Sequence, residues 1–284
     1  MTMYADLTDV RCYYELLGTG DPLLLVPGLG ATCTLWDGIT SDLSRSFTLI
    51  VLDNRGLGRS VAKRPPQNIA DLAVDLVELM DHLQLKRAHV LGLSLGGVIA
   101  QQLAVDHASR VDRLVLVSCS NRFGPYLLEV AKLIGQALRH CPPEVFRRTI
   151  ELLGTAPEYF DAHVDEIDRR ITTECERGIP RGAVARQLRC LGCQDLAERQ
   201  EYRISAPTLV IAGEQDMLIP ACYGRQMARE IAGSEFLLVR RCGHNPFTEK
   251  PEQVVPRITE FLMRSRAAHD RHFREAQLAM EETI

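Results

Sequence analysis

The 284-residue sequence lacks any long run of basic residues, and its formal net charge is −4. Three pairs of adjacent arginines, at 147–148, 169–170 and 240–241, are interspersed with acidic or apolar residues. Nucleic-acid-binding proteins usually concentrate Lys and Arg on one face. We therefore interpret the arginine pairs as solvated surface positions and expect no nucleic-acid partner.

The sequence also lacks a hydrophobic run that could cross a membrane, which takes about 20 apolar residues. Its longest apolar runs, such as residues 23–27 and 114–117, are far shorter. Residues 1–21 contain acids and tyrosines but no apolar segment of the signal-peptide type. We expect no membrane span and a soluble, cytoplasmic protein.

The nine cysteines show no pairing rhythm and are odd in number. Cys190 and Cys193 form a Cys-x-x-Cys pair, but no second pair or nearby histidine completes a zinc site. The pair lies in a helical pattern, whereas a redox motif would follow a strand. We interpret the cysteines as reduced thiols and expect neither a metal nor an organic cofactor.

Strands and helices alternate along most of the chain, which is typical of a mostly parallel sheet covered on both faces. Apolar runs predict strands at residues 11–17, 23–26, 47–52, 87–92, 113–117, 207–213 and 235–239. Helical spacing predicts helices at residues 68–85, 96–106, 221–231 and 252–264. With 46% hydrophobic and 25% charged residues, the composition is that of a globular α/β protein.

The alternation stops between residues 121 and 203, where helical patterns broken by prolines and glycines predict about four helices. We interpret this block as a helical cap inserted into a core domain of residues 1–120 and 204–265. Residues 266–284 form a charged, helix-prone tail with weak amphipathic spacing. The tail either frays or covers a neighbouring subunit. The sequence therefore leaves open whether the protein forms a homo-oligomer.

A serine stands in a glycine-rich turn between a predicted strand and a predicted helix. Residues 92–96 read Gly-Leu-Ser-Leu-Gly, which fits the pattern Gly-x-Ser-x-Gly. The serine of such a turn is strained and exposed at the strand's end, and the glycines avoid clashes with neighbouring backbone. The amides at the start of the following helix favour developing negative charge. The sequence predicts Ser94 as a nucleophile.

A serine hydroxyl needs a base to take its proton, and this type of turn is followed in sequence by an acid and then a histidine. Strand 207–213 is followed by Glu214 and Asp216. We favour Asp216, because a residue on the loop points toward the edge of the sheet more easily than one directly after the strand. His244 follows a glycine after the last predicted strand. The sequence predicts His244 as the base and Asp216 as the acid that orients it, and the other seven histidines as surface or core residues.

Two backbone amides can stabilise the negative charge that acyl transfer builds on a carbonyl oxygen. One is the amide of Leu95, directly after the predicted nucleophile, and the other comes from the loop of residues 27–30. We assign the amide of Leu29 on that loop to the oxyanion hole, with an ordinary glycine turn as the alternative.

Nearly the whole chain resembles the α/β-hydrolase superfamily, in its serine-nucleophile branch. The resemblance is carried by residues 26–30 with Trp36, residues 53–60, residues 92–97, residues 213–216, and residues 243–244 with residues 249–252. It implies an α/β-hydrolase fold, with a doubly wound, mostly parallel, eight-stranded sheet and a helical cap. Pro27 stands where many members have histidine, and Ser94 argues against the dehalogenases and epoxide hydrolases that use Asp.

Within that superfamily the chain is most similar to enol-lactonases and small carboxylesterases. This implies a serine esterase or lactonase that cleaves a small-molecule carboxylic ester or lactone through an acyl-enzyme on Ser94. Carbon–carbon hydrolases of ring-cleavage products, which would need polar cap groups, and thioesterases share the layout. The candidates for these polar groups are three arginines, which are alternatively ordinary surface residues: Arg181, Arg186 and Arg189. A ligand receptor on the same fold is the non-enzymatic alternative.

Overall fold

A computed structural model describes residues 2–192, 196 and 202–264. Its strands are β1 (Thr2–Asp6), β2 (Val10–Leu17), β3 (Asp21–Val26), β4 (Phe47–Leu52), β5 (Val61–Ala62), β6 (Ala88–Leu93), β7 (Val111–Val117), β8 (Thr208–Gly213) and β9 (Glu235–Val239). Outside the segment between β7 and β8, the helices are α1 (Asp37–Leu43), α2 (Ile69–His82), α3 (Leu95–Asp106), α9 (Ala221–Glu230), α10 (Pro246–Glu249) and α11 (Pro251–Met263). The predicted tail 266–284 and Cys193 lie outside the described residues.

One sheet contains all of these strands, in the order β1-β2-β4-β3-β6-β7-β8-β9, and the two-residue strand β5 pairs with β2. The pairs from β4 through β9 are parallel, whereas β1, β2 and β5 pair antiparallel. The expected mostly parallel α/β sheet is confirmed, with eight strands along its path. Because parallel strands end at the same edge, the loops after β3, β6, β8 and β9 lie along one rim.

Strand β3 is buried on both faces, as the strands of a covered parallel sheet are. Leu24 and Val26 pack with side chains of α2 and α3 on one face. Leu23 and Leu25 pack with side chains of α1 and α11 on the other face. The period-two alternation of a strand therefore divides this apolar run between two hydrophobic cores.

The amino-terminal strand β1 was not predicted from the sequence. It pairs antiparallel with β2, with Tyr4 opposite Tyr13. Ala5 is fully buried while Tyr4 is 43% exposed, so the strand has one inward and one outward face. The alternation spans only five residues, which is too short to separate an edge strand from a loop by pattern alone.

Five helices lie between β7 and β8: α4 (Pro125–His140), α5 (Pro143–Gly154), α6 (Pro157–Ala162), α7 (Val164–Arg177) and α8 (Arg181–Gly192). We refer to the segment that contains these five helices as the cap. About four were expected. Three of them begin at a proline, which fits the first turn of a helix because that position needs no amide donor. Arg170 on α7 forms an ion pair with Glu151 on α5 at 2.7 Å. Among the described helices, none is both long and apolar enough to span a bilayer.

Candidate active site

Ser94 lies in the sharp turn between β6 and α3, with φ 57° and ψ −120°. A β-carbon on Gly92 would overlap the carbonyl oxygen of Gly96, and one on Gly96 would overlap the carbonyl oxygen of Val26. Both positions therefore require glycine for the turn to pack. The Ser94 amide donates a hydrogen bond to the Val117 carbonyl at 2.9 Å, which ties the turn to β7.

Backbone strain is concentrated along the same rim. Ser118, directly after β7, has φ 47°, and Arg241, three residues before His244, has φ 50°. Non-glycine residues with positive φ cost free energy and persist only where the surrounding structure holds them. Of the four non-glycine residues with positive φ in the described part of the chain, three follow the carboxyl ends of β6, β7 and β9: Ser94, Ser118 and Arg241. The fourth, Gln84, lies between α2 and β6.

The loop after β3 packs directly against the serine turn. A β-carbon on Gly28 would lie 3.3 Å from the Ser94 β-carbon. The side chain of Asn54 donates a hydrogen bond to the Pro27 carbonyl at 3.0 Å and so holds the loop from the end of β4. Leu29 follows Gly28 on this loop, and Leu95 begins α3, where an amide has no partner within its own helix.

Asp216 and His244 are brought together by the loops after β8 and β9. His244 Nδ1 lies 2.7 Å from Asp216 Oδ2, and the Asp216 side chain is fully buried. Asp216 Oδ1 accepts hydrogen bonds from the amides of Leu218 and Ile219, each at 2.9 Å. These bonds fix the carboxylate so that it faces the imidazole.

The rival acid, Glu214, has other partners. Its carboxylate accepts hydrogen bonds from the Arg240 side chain at 3.0 Å and the Arg241 amide at 3.1 Å. It therefore braces the turn that leads to His244. Of the two acids that follow β8, Asp216 is the one in contact with the histidine.

Glu249 holds the histidine loop, a contact that sequence reasoning missed. Its Oε2 accepts hydrogen bonds from the amide of Gly243 at 2.9 Å and from the amide of Ala156 in the cap at 3.1 Å. Burial raises the pKa of the Glu249 carboxyl, and the two amide donors oppose that rise. In the sequence, Glu249 belongs to residues 249–252, which contribute to the family resemblance. That motif does not indicate which residues Glu249 contacts.

The cap is joined to both loops through residues 153–156. The His244 amide donates to the Gly154 carbonyl at 2.5 Å, and the Met217 amide donates to the Leu153 carbonyl at 3.1 Å. With the Ala156 bond to Glu249, this strip of cap backbone contacts the segments that carry the acid and the histidine. We refer to residues 153–156 as the anchoring strip.

The underside of the cap is apolar where it meets these loops. One hydrophobic cluster contains Leu218 from the acid loop, Leu57, and cap residues that include Phe146 and Val184, with Leu29 packed against it. Phe146 is buried in this cluster. The rim and the cap therefore pack against each other mainly through apolar side chains.

The three candidate cap arginines do not converge on the rim. The Arg181 guanidinium donates to the carbonyls of Leu138 and of Cys141, and so caps the end of α4. Arg186 and Arg189 are exposed. The buried polar side chain of α8 is Gln187, which sequence reasoning did not single out.

Several known proteins of similar sequence or structure are hydrolases by name. A protein named carbamate hydrolase RutD, from Caulobacter vibrioides, is 28% identical over 255 residues, which cover 88% of this chain and 94% of that protein. The crystal structure of a hydrolase from Pseudomonas aeruginosa PA01 is 29% identical with a TM-score of 0.83, covering 93% of this chain and 98% of that one. The enol-lactonase from Burkholderia xenovorans LB400 is 25% identical with a TM-score of 0.83, covering 92% and 100%.

The family described as alpha/beta hydrolase fold matches residues 21–251. The match begins at β3 and ends at the first residue of α11, so it includes the serine turn, the cap and the loops of Asp216 and His244. The parallel sheet, the strained turn at its rim and these comparisons agree. The chain belongs to the alpha/beta hydrolase fold family.

Proposed function

We propose that this hydrolase cleaves a small-molecule carboxylic ester or lactone through an acyl-enzyme on Ser94. The observation that carries the proposal is the 2.7 Å contact between His244 Nδ1 and the buried Asp216 carboxylate, on the rim that also holds Ser94. An imidazole bonded in this way keeps its other nitrogen as a proton acceptor. The proposed partner is a small-molecule substrate.

In the first half of the proposed reaction, Ser94 Oγ attacks the substrate carbonyl carbon and His244 Nε2 takes the hydroxyl proton. Asp216 stabilises the imidazolium that results. The amides of Leu29 and Leu95 donate to the oxyanion. As the intermediate collapses, the bond to the leaving oxygen breaks and His244 returns the proton to that oxygen, which leaves Ser94 acylated.

In the second half, water adds to the acyl carbon while His244 takes one of its protons. Collapse of that intermediate releases the carboxylic acid and returns the proton to Ser94 Oγ. With a lactone the leaving oxygen stays attached to the acyl chain, so the product is a hydroxy acid. No step requires a redox partner, because only acyl transfer and proton transfer occur.

The apolar cluster under the cap supports a neutral or weakly polar acyl group over a charged one. Arg181 is engaged with the end of α4, and Arg186 and Arg189 are exposed, so none of these three arginines is placed to hold a dienol carboxylate. This disfavours the carbon–carbon hydrolase alternative. The similarity to a protein named as a carbamate hydrolase makes carbamates the second substrate class, since a carbamate presents the same carbonyl to Ser94.

We also assign residues 121–203 as the cap insertion and residues 1–120 with 204–265 as the core. The five helices between β7 and β8 support this division. Substrate selection is then a property of the cap, and bond cleavage a property of the core.

The test is a substrate panel with the wild-type protein, Ser94→Ala and a control, Ser118→Ala. The panel contains p-nitrophenyl acyl esters, a lactone, a carbamate, a thioester and a vinylogous diketone. We expect turnover of the esters or the lactone, its loss in Ser94→Ala, and its retention in Ser118→Ala. The Ser118 hydroxyl is buried and makes no hydrogen bond within the described part of the chain, so its removal is a matched control.

A fluorophosphonate probe separates an enzyme from a receptor on the same fold. We expect mass spectrometry to find the probe on Ser94 in the wild-type protein and on no residue in Ser94→Ala. A wild-type protein that cleaves no ester, lactone or carbamate would refute the proposed function, and one that the probe also leaves unlabelled would favour the receptor.

A further inference from the structure

A buried glutamine joins the cap to the loop after β3. Gln187 lies on the inner face of α8 and is 1% exposed. Its Oε1 accepts a hydrogen bond from the Gly30 amide at 3.0 Å. Its Nε2 is also buried and has no hydrogen-bond partner among the residues that the structure describes.

The position of this amide places it beside the proposed oxyanion hole. Gly30 directly follows Leu29, whose amide we assign to the oxyanion. A β-carbon on Gly30 would lie 3.2 Å from Val184 Cγ2, so α8 packs closely on this loop. Nε2 and Oε1 are bonded to the same amide carbon, and Oε1 accepts from the Gly30 amide. The Nε2 donor therefore lies close to the backbone of Gly30.

A buried amide donor without an acceptor is costly, and native proteins satisfy nearly all such groups. Ligand-binding pockets are typically lined by apolar side chains and a few polar groups that hydrogen-bond to the ligand. An unpaired polar group among apolar residues beside a site fits that description. The face of α8 that carries Gln187 also carries Val184 and Leu191, both buried. A glutamine on this apolar face therefore calls for a partner that the described part of the chain does not supply.

The order of the sheet indicates which part of the substrate lies near Gln187. Strand β6, which carries Ser94, is flanked by β3 on one side and by β7, β8 and β9 on the other. His244, which must reach the leaving oxygen, follows β9, whereas Gly30 follows β3. Gln187 therefore lies beside the oxyanion loop, on the side of Ser94 opposite the leaving group. A substrate atom that reaches Gln187 then belongs to the acyl part.

We propose that Gln187 is a specificity residue: Nε2 donates a hydrogen bond to a second oxygen in the acyl part of the substrate. Its Oε1 meanwhile holds Gly30. This inference rests on the proposed function and narrows it to acyl groups that carry an ether, ring or carbonyl oxygen in addition to the scissile carbonyl. Leu29 and Val184, which flank this position in the chain and on α8, belong to one hydrophobic cluster.

The experiment compares p-nitrophenyl hexanoate with the three isomers in which an ether oxygen replaces the methylene at position 3, 4 or 5 of the acyl chain. For each substrate kcat/KM is divided by the rate of its hydrolysis by hydroxide, which removes differences in intrinsic reactivity. The ratio of an oxygen-containing ester to hexanoate then measures recognition of the added oxygen. The proteins are wild type, Gln187→Glu, Gln187→Met and the exposed control Arg189→Met.

We expect wild type and Arg189→Met to prefer at least one oxygen-containing isomer over hexanoate. Gln187→Glu keeps an acceptor for the Gly30 amide but loses the donor, and Gln187→Met lacks both. In both variants we expect the preference to fall about tenfold, as the loss of one hydrogen bond predicts. A loss of loop support alone would lower kcat/KM for all four esters in parallel and leave the preference unchanged.

Two results would overturn the inference while the proposed function stands. One is a wild-type protein that cleaves hexanoate but favours none of the three isomers. The other is a preference that Gln187→Glu retains at the wild-type level. A wild-type protein that cleaves no ester, lactone or carbamate would instead overturn the proposed function, and the inference with it.

Discussion

Glu249 Oε2 accepts a hydrogen bond at 2.9 Å from the amide of Gly243, the residue directly before His244. The same oxygen accepts from Ala156 in the cap, so one buried carboxylate fixes both the histidine loop and the anchoring strip. The position of the proposed base therefore depends on an acid that takes no part in the proposed chemistry.

Titration of Glu249 should appear in the stability of the protein. Burial raises its pKa above the ordinary value of 4.5, so the folded state holds the proton more tightly than the unfolded state does. The stability that comes from the protonated form is fully present below pH 4.5 and is lost as the pH rises through the folded pKa. We expect the free energy of unfolding of wild type, relative to Glu249→Gln, to decrease as the pH rises from about 4 to 7.

Urea unfolding of both proteins at several pH values measures this difference. Glu249→Gln serves as the reference because it has nearly the same shape and does not titrate. A difference that grows with pH would contradict the raised pKa.

Gly243 has no space for a side chain. A β-carbon there would overlap the Gly154 carbonyl oxygen and lie 2.8 Å from both the Ala156 nitrogen and Glu249 Oε1. Gly243→Ala should displace His244 and lower kcat on the best ester by about 100-fold, which is the usual cost of a small misplacement of a catalytic group. Steady-state kinetics measure this loss. Gly182→Ala is the matched control, since a β-carbon at Gly182 meets open space, and wild-type activity of both variants would contradict the prediction.

Asp216 and Glu214 follow the same strand, and the structure gives them different partners. Asp216→Asn should lower kcat about 10³- to 10⁴-fold, because an amide cannot hold the imidazole in the orientation and charge state that the reaction needs. Glu214→Gln should change kcat by less than about tenfold, since Glu214 contacts Arg240 and Arg241 and not His244. Steady-state kinetics of the two variants under identical conditions measure the contrast. Equal losses would show that Asp216 has no special role.

Arg55 and Asp75 form a buried ion pair, with Arg55 Nε 2.8 Å from Asp75 Oδ2 and the Arg55 side chain 2% exposed. Arg55→Met leaves the Asp75 carboxylate buried without this partner, and we expect it to lower the free energy of unfolding by about 3–5 kcal/mol. The double variant Arg55→Met/Asp75→Leu should recover most of that loss, because apolar side chains then fill the site. Urea denaturation measures both. A double variant no more stable than the single one would contradict the explanation.

The core of this protein could be predicted from sequence because its determinants are local. The serine turn needs glycines at fixed spacing, and a parallel sheet brings the ends of its strands to one rim. This is why Asp216 and His244 could be placed at the same edge from residue order alone. The choice of Asp216 over Glu214 also depended only on its distance from the end of β8.

The remaining contacts of the site join residues far apart in the chain, and no local pattern encodes them. Glu249 contacts Ala156, and Gln187 contacts Gly30, across 93 and 157 positions. Gln187 occupies an apolar face of α8, where hydrophobic periodicity treats a polar residue as an irregularity. Such contacts depend on how the cap sits on the core, which periodicity cannot determine.

The anchoring strip limits how the cap can open. Any hinge that lifted α5 away from the sheet would break the bond from the His244 amide to Gly154 and pull the imidazole out of alignment with each turnover. A substrate entrance that leaves the imidazole undisturbed therefore has to lie on another side of the cap. Substitutions in α4 can therefore admit new substrates, while the end of α5 that holds the His244 loop stays fixed.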